Sequence, residues 1–380
     1  MRLDTMGLSR RELVKYSLTG GAASLAGCLG GGGGGDENQS TKPVDMASIP
    51  PEELEQSLNV WNWYDGWVNW AVKEFKEQYN TSVTTAAYSN PSKWYTKLEA
   101  GNDEIDSISA TSAWVVRSMD NDFLHALPVD QMDGWSALNE LAKSDAEEYY
   151  QRNEMVYAIP EAQVAHPLTY STDYFDEDPG SWDVLWQSDL KGKVSMQDWG
   201  EVACRVAALY TGQDPNNPDD FKEIEEALIQ QKDLNVTYWK DQSTVQQMFE
   251  NEQIVATVYT DGRTYNGRFQ KEIPIDMSNT KEGFMYTYDT FVIPKGAPNP
   301  KAAVAWTDMG SKPENAAEKV TTMGYLPPIK NIGDYLDLSD EKIDFLSWPQ
   351  KMSDSATFIQ PLSDDLRKKF DEIWTKVKAA

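Results

Sequence analysis

The sequence is poor in the residues on which most reactive centres depend. Its 380 residues include only two cysteines and two histidines. Cys28 and Cys204 lie far apart, as do His125 and His166. A His/Cys metal centre or a histidine-activated nucleophile needs more partners than these. No G-x-S-x-G, H-E-x-x-H or phosphate-loop motif occurs. Cationic residues are scarce too: 34 Lys plus Arg face 61 Asp plus Glu, a net charge of -27. Such a surface repels nucleic acid and anionic lipid. With 14 Trp and 18 Tyr the acid excess is not the composition of a disordered chain, and it suits a halophile, whose carboxylates keep the surface hydrated. No apolar run reaches the about 20 residues of a membrane span.

What the N-terminus does contain is a set of processing signals. Residues 9–36 read SRRELVKYSLTGGAASLAGCLGGGGGGD. A basic start, a short apolar middle and small residues make a signal peptide. Ser9-Arg10-Arg11-x-Leu13-x-Lys15 resembles the twin-arginine export signal, and Leu25-Ala26-Gly27-Cys28 resembles a lipobox, whose cysteine is lipidated. Residues 1–27 are therefore expected as signal peptide, and 28–56 as the anchor cysteine with a glycine-rich coil. If Cys28 carries lipid, Cys204 has no partner; in VACRVAALY it reads as a small core residue. The expected location is the outer face of the cell membrane.

The remaining residues, about 320, suit two domains. From Leu58 strand-like and helix-like segments alternate: LNVWNW, then NWAVKEFKEQY, SVTTAAY, SKWYTKLEAG and IDSISA. DFKEIEEALIQQK, VTYWK, STVQQMFENE and IVATVYTDG continue the alternation, the last as a strand ending in a turn. TYDTFVIPKG reads as a strand, NPKAAVAWTDMGS as a helix behind Pro300, and DDLRKKFDEIWTKVKAA as the closing helix. The pattern indicates βαβ units with parallel sheet. No long internal linker appears, so two lobes with several chain crossings are expected.

Several short phrases in order carry a resemblance: LNVWNW at 58–63, Tyr157-Ala158-Ile159-Pro160, SWDVLW at 181–186, LKGKV at 190–194 and Asp198-x-x-Glu201-Val202. DTFVIP at 289–294 and MGYLPP at 323–328 complete the series. It resembles the spermidine/putrescine-binding proteins of ABC importers. The resemblance implies an α/β, two-lobed periplasmic-binding-protein-like fold of type II with a ligand cleft between the lobes. Lobe 1 is expected over 57–160 plus 288–330, lobe 2 over 161–287 plus 331–380. It implies a monomeric receptor without cofactor or catalysis, delivering a small cationic solute to an ABC permease.

A polyamine needs carboxylates at its nitrogens and flat apolar walls along its stem. The resemblance carries Asp198, Glu201 and Asp289 onto the family's ligand-binding acids, and Trp63 onto an aromatic wall. Tyr259 stands where the family has a tryptophan. Tyr325, Gln360 and the Thr111–Ser112 loop match family positions, and Tyr64-Asp65 replace a hydroxyl and an acid of the family, with Asp65 in part compensation. Other roles remain open. Asp198 and Glu201 fit a helix capping box, Asp289 fits a turn residue, and Trp63 fits core packing. Ala113 and Thr287 replace family aromatics, leaving the solute open between a polyamine and thiamine, an amino-alkyl phosphonate, an opine-like compound or a metal. An anion would look to Arg205, Arg263 or Arg268, and a ferric ion to the pair Tyr149–Tyr150. A secreted glycoside hydrolase is the distant alternative, disfavoured because two acids three residues apart do not straddle a substrate.

Overall fold

In the computed structural model the chain divides into Met1–Gln39 and a compact unit, Ser40–Ala380. The structure describes residues 43–45, 48–49, 51, 53–63, 65–88 and 91–380, without the side chains of Asp65 and Gln242. Arg10, Arg11 and Cys28 therefore lie outside the described residues.

Thirteen strands are described, in two main sheets and one short hairpin. The first sheet contains β1 (Ser57–Asn62), β2 (Ser82–Ala87), β3 (Ser107–Thr111), β6 (Ile159–His166), β12 (Phe284–Val292) and β13 (Ala356–Phe358). β1 pairs in parallel with β2 and β3, and β3 meets β12 antiparallel. β12 carries β6 along one edge; β13 and β3 share the other. The hairpin is β4 (Gln151–Arg152) with β5 (Met155–Val156). The second sheet has the order β11-β7-β10-β8-β9: Ile275–Met277, Leu168–Ser171, Ala256–Val258, Val194–Gln197 and Asn235–Trp239.

The chain passes between the sheets three times. Pro167 alone joins β6 to β7, residues 278–283 join β11 to β12, and residues 359–363 lead from β13 to the closing helix Asp364–Ala379. Each sheet has its own apolar core. Leu58, Val60, Trp67, Phe75, Trp94, Ile108 and Trp306 fill the first, while Trp182, Leu185, Val194, Met196, Val206 and Ile224 fill the second. This is the two-lobed α/β fold expected. Three places sit differently from the expected division. Residues 356–358, expected in lobe 2, are strand β13 of the first sheet, and the boundaries expected at 160/161 and 287/288 fall inside β6 and β12 of that sheet.

β6 and β12 are buried along their whole length. Strands covered on both faces are normally apolar throughout. These contain Glu161, Gln163, His166, Asp289 and Thr290, and a buried charge needs a partner or a task. These polar positions, and the strand ends around them, locate the site.

Candidate functional site

Open α/β sheets bind ligands beyond the carboxyl ends of their strands, where strand order reverses. On the first sheet these ends bring Trp63 behind β1, Tyr88 behind β2 and Thr111 at the end of β3. Asp289 lies opposite Thr111 across β3 and opposite Ala162 across β6. The β12–β6 register slips between Asp289 and Thr290. A bulge there re-aims a side chain, and Asp289 is only 3% exposed. The Trp63 ring lies 4.4 Å from that of Tyr88, with its indole Nε1 buried and lacking a hydrogen-bond partner. Burial, and then the charge of Asp289, holds the Tyr88 hydroxyl well above its ordinary pKa.

A chain of polar contacts backs this wall. The Tyr88 hydroxyl donates to the Ser109 carbonyl, and the Ser109 hydroxyl to Glu161. Glu161 accepts from Lys319 Nζ at 2.9 Å. The Lys319 ammonium is fully buried, 4.4 Å from the ring centres of both Trp67 and Phe291. Burial lowers its pKa, opposed by Glu161 and then Asp289.

Ser112 is placed differently from its neighbour Thr111, which is half-buried. The Ser112 hydroxyl contacts Tyr150 OH, accepts from Thr287 Oγ1 at 2.9 Å and from Tyr288 N at 3.1 Å. It fastens β12 to the helix Ser112–Asp120. The adjacent tyrosines diverge: Tyr150 is buried against Ser112, while Tyr149 stacks on Phe358 at 4.3 Å. Asp65 opens the helix Asp65–Tyr79, and its side chain lies outside the described residues.

On the second sheet Asp198 follows β8, and its N–H donates to Trp239 O at 2.7 Å. The helix Gly200–Tyr210 begins two residues later with Trp199 as N-cap and without a side-chain cap. The capping box does not form. Instead Asp198 accepts from Lys378 Nζ at 3.0 Å, with Lys240 at 3.7 Å. Glu201 accepts from Arg205 Nη2 at 3.1 Å and Nε at 3.3 Å. Arg205 is 1% exposed and also donates to Pro215 O, Asn216 Oδ1 and Gln360 O. Gln360 also reaches Tyr149 OH at 3.5 Å. Trp199, between the two acids, is 48% exposed.

Tyr259, behind β10, is buried edge-on against Trp239 at 5.9 Å. The Tyr325 hydroxyl is 3.0 Å from Thr260 Oγ1. The strand expected in IVATVYTDG is there as β10, but in place of the turn expected at its end a helix, Asp261–Gln270, begins. Its Gly262 admits the Tyr325 ring, which a Cβ at that position would meet at 2.5 Å. Half-buried Arg263, on the same first turn, lowers the pKa of both Tyr259 and Tyr325 against the larger upward effect of burial; Tyr325 still stands at about 12. Asp261 accepts from Ala165 N at 3.1 Å on the crossing strand β6. Burial raises its carboxyl to about 7, while burial and then Arg205 lower neighbouring His166 to about 4. Lys319, Glu161 and Lys378 escaped the sequence reading. Strand interiors disfavour acids, so Glu161 within IPEAQVAH could have been noticed, whereas PENAAEKVTTM gives no sign that Lys319 is buried. A wider groove, about 630 Å³, runs along 326–333 against Asn139 and Gln350, and none of the expected ligand residues lines it.

The sequence profile of the bacterial extracellular solute-binding proteins matches residues 70–345. The chain belongs to that family. A putrescine/cadaverine-binding protein of Pseudomonas aeruginosa is 23% identical over 353 residues, covering 88% of this solute-binding protein and 96% of the relative. Among solved structures, a spermidine/putrescine ABC-transporter substrate-binding protein of Streptococcus pneumoniae superposes with TM-score 0.74 at 19% identity, covering 86% of this chain and 99% of its own. A lipoprotein of Treponema pallidum does so with TM-score 0.71 at 18% identity, covering 84% and 99%. Both structures share the two-lobed fold. The chain is a solute-binding protein of the transport class, not an enzyme.

Proposed function

We propose that this solute-binding protein captures a small organic ammonium ion at the outer face of the cell membrane and hands it to an ABC permease. The observation that carries this reading is Asp289: a carboxylate turned by a β-bulge at the carboxyl ends of β1 and β3, beside the Trp63–Tyr88 wall. An ammonium finds a charged acceptor there, and its methylene stem finds a ring face. Polyamines are the first candidates, because a relative's name carries putrescine. Trp63, Asp65, Thr111, Tyr259, Tyr325 and Gln360 would complete the cleft, with Asp198 and Glu201 behind its second wall.

Arg10-Arg11 would direct export of the folded chain, and Cys28 would tether it by lipid, as the name of the Treponema neighbour suggests. The acidic surface suits molar salt. At that ionic strength the Debye length is about 3 Å, so selectivity over K⁺ must come from contacts in the cleft. Calorimetric titration of residues 40–380 in molar KCl with putrescine, spermidine, 4-aminobutanoate and thiamine tests the reading, with 1,4-butanediol as the uncharged control. Heat with an ammonium ligand and none with the diol is expected; no heat with any ammonium ligand contradicts it. Cys28→Ala is expected to release the protein into the medium, and Arg10→Lys with Arg11→Lys to retain it inside.

A further inference from the structure

If the chain is the amine receptor proposed above, the second lobe shows which of its own residues a solute's second ammonium would meet. The closing helix Asp364–Ala379 packs along Gly200–Tyr210: a Cβ at Gly200 would lie 2.8 Å from Trp374 Cβ, and Cys204 Sγ reaches Phe370 O at 3.9 Å. The two helices are therefore antiparallel. Gly200 follows the carboxyl end of β8, so the last turn of the closing helix comes out at that end too, beside Asp198. Lys232 Nζ fixes this turn by donating to Val377 O at 2.9 Å and Lys378 O at 3.1 Å.

From there Lys378 sets its ammonium on Asp198 at 3.0 Å, 4.8 Å from the ring centre of Tyr238 and 5.7 Å from that of Trp374. The two rings meet edge to face, with centres 4.9 Å apart. A carboxylate beside two ring faces is the set of partners an ammonium takes. It is the chemistry proposed for Asp289 with Trp63 and Tyr88 in the first lobe, but here the ammonium is the chain's own. Its hold is light: the Lys378 side chain is 41% exposed, and an ion pair so open to water is weak. Lys240 stands farther from the same acid, at 3.7 Å, with its side chain 78% exposed. Glu201 offers no such exchange, because its partner Arg205 is 1% exposed and also donates to Pro215, Asn216 and Gln360.

We propose that Lys378 determines specificity by sitting as a resident ammonium in the second lobe's amine seat, formed by Asp198, Tyr238 and Trp374. A single ammonium at Asp289 leaves it in place, whereas a diamine's second head gains the seat only by exchanging with it. Exchange of one ammonium for another returns little, so Lys378 holds the receptor's preference for diamines over monoamines down. Asp198→Asn alone then changes affinity little, since it removes the seat for lysine and solute alike.

The test is calorimetric titration of residues 40–380 in molar KCl with 1,4-diaminobutane and 1,6-diaminohexane, each beside the n-alkylamine of equal length. Lys378→Ala is expected to raise affinity for the better diamine by at least about tenfold and to leave the alkylamines within about twofold. Adding Asp198→Asn to Lys378→Ala is expected to abolish that gain. Lys240→Ala removes an equal charge outside the two-ring seat and is expected to shift diamine affinity by less than about threefold, because molar salt screens it. Melting temperatures check that the variants fold. An unchanged ratio of diamine to alkylamine affinity in Lys378→Ala, an equal rise for both, or a gain that survives Asp198→Asn overturns the inference and leaves the receptor reading standing. Wild-type binding of neither series overturns both.

Discussion

The acids of the two lobes differ in how far water reaches them: Asp289 and Glu161 are 3% and 5% exposed, while the side chains of Asp198 and Glu201 are 15% and 18% exposed. In the first lobe Asp289 and Glu161 are sealed into strands buried on both faces, among tyrosines and one buried ammonium. In the second, Asp198 and Glu201 lie at a helix start and are each answered by a cation of the chain. A resemblance carries over residue types but not their partners. An acid in a desolvated, aromatic-lined position gains more from an incoming ammonium than one within reach of water.

The largest effect should come from opening the first lobe's network. Lys319→Met leaves Glu161 charged and 4% exposed on its side chain. About 3–5 kcal/mol of stability should be lost, read from the urea midpoint, and Glu161→Gln in the same chain should recover most of it. Full stability in the single variant would show that this lobe is not the sealed one.

In the second lobe the same kind of change should split by burial. Arg205→Met removes a 1% exposed guanidinium with its bonds to Glu201, Pro215 and Gln360, at an expected cost of about 2–4 kcal/mol. Lys378→Ala removes a side chain 41% exposed and should cost under about 1 kcal/mol. Equal costs for both would erase the distinction between a buried counter-ion and a surface one.

A smaller effect should appear where Tyr325 meets the second lobe. Gly262→Ala brings a Cβ to 2.5 Å from the Tyr325 ring. The ring must shift, at about 1–3 kcal/mol, and solute affinity should fall with it; unchanged affinity by calorimetry would take Tyr325 out of the cleft wall.

The smallest net effect is expected at the crossing between lobes, where two titrations oppose. Folding lowers His166 from 6.5 to about 4, so the unfolded chain binds the extra proton and stability rises with pH across that range. Folding raises Asp261 from 3.8 to about 7, so the folded chain holds the extra proton and stability falls as pH rises across that interval. The wild-type urea midpoint should change little between these limits. Asp261→Asn should leave a rising profile, and His166→Gln a falling one; parallel profiles would refute the assignment.

Much of the fold was legible because burial imposes periodicity. The apolar-rich segments around β1, β2, β3 and β12, and the helices Phe221–Lys232 and Asp364–Ala379, fall where their patterns put them. The helix Asp261–Gln270 did not, because DGRTYNGRFQ carries no apolar stripe. It is buried all the same, since Gly262 and Gly267 admit Tyr325 and Ile275 at distances no side chain would allow. Within the site, the resemblance pointed to Asp289, which the structure places inside a strand buried along its whole length. The pairing of Asp198 with Lys378 spans 180 residues, and nothing local in either segment announces it.

The most direct measurement compares three single variants, Asp289→Asn, Asp198→Asn and Glu201→Gln, by calorimetric titration with whichever ammonium ligand binds the wild type best. Asp289→Asn should weaken binding by about 50-fold or more, and the other two by no more than about threefold, because in the proposed site Asp289 meets the ligand's charge while Asp198 and Glu201 are held by Lys378 and Arg205. Equal losses in all three, or a larger loss at Asp198 or Glu201 than at Asp289, would contradict the account.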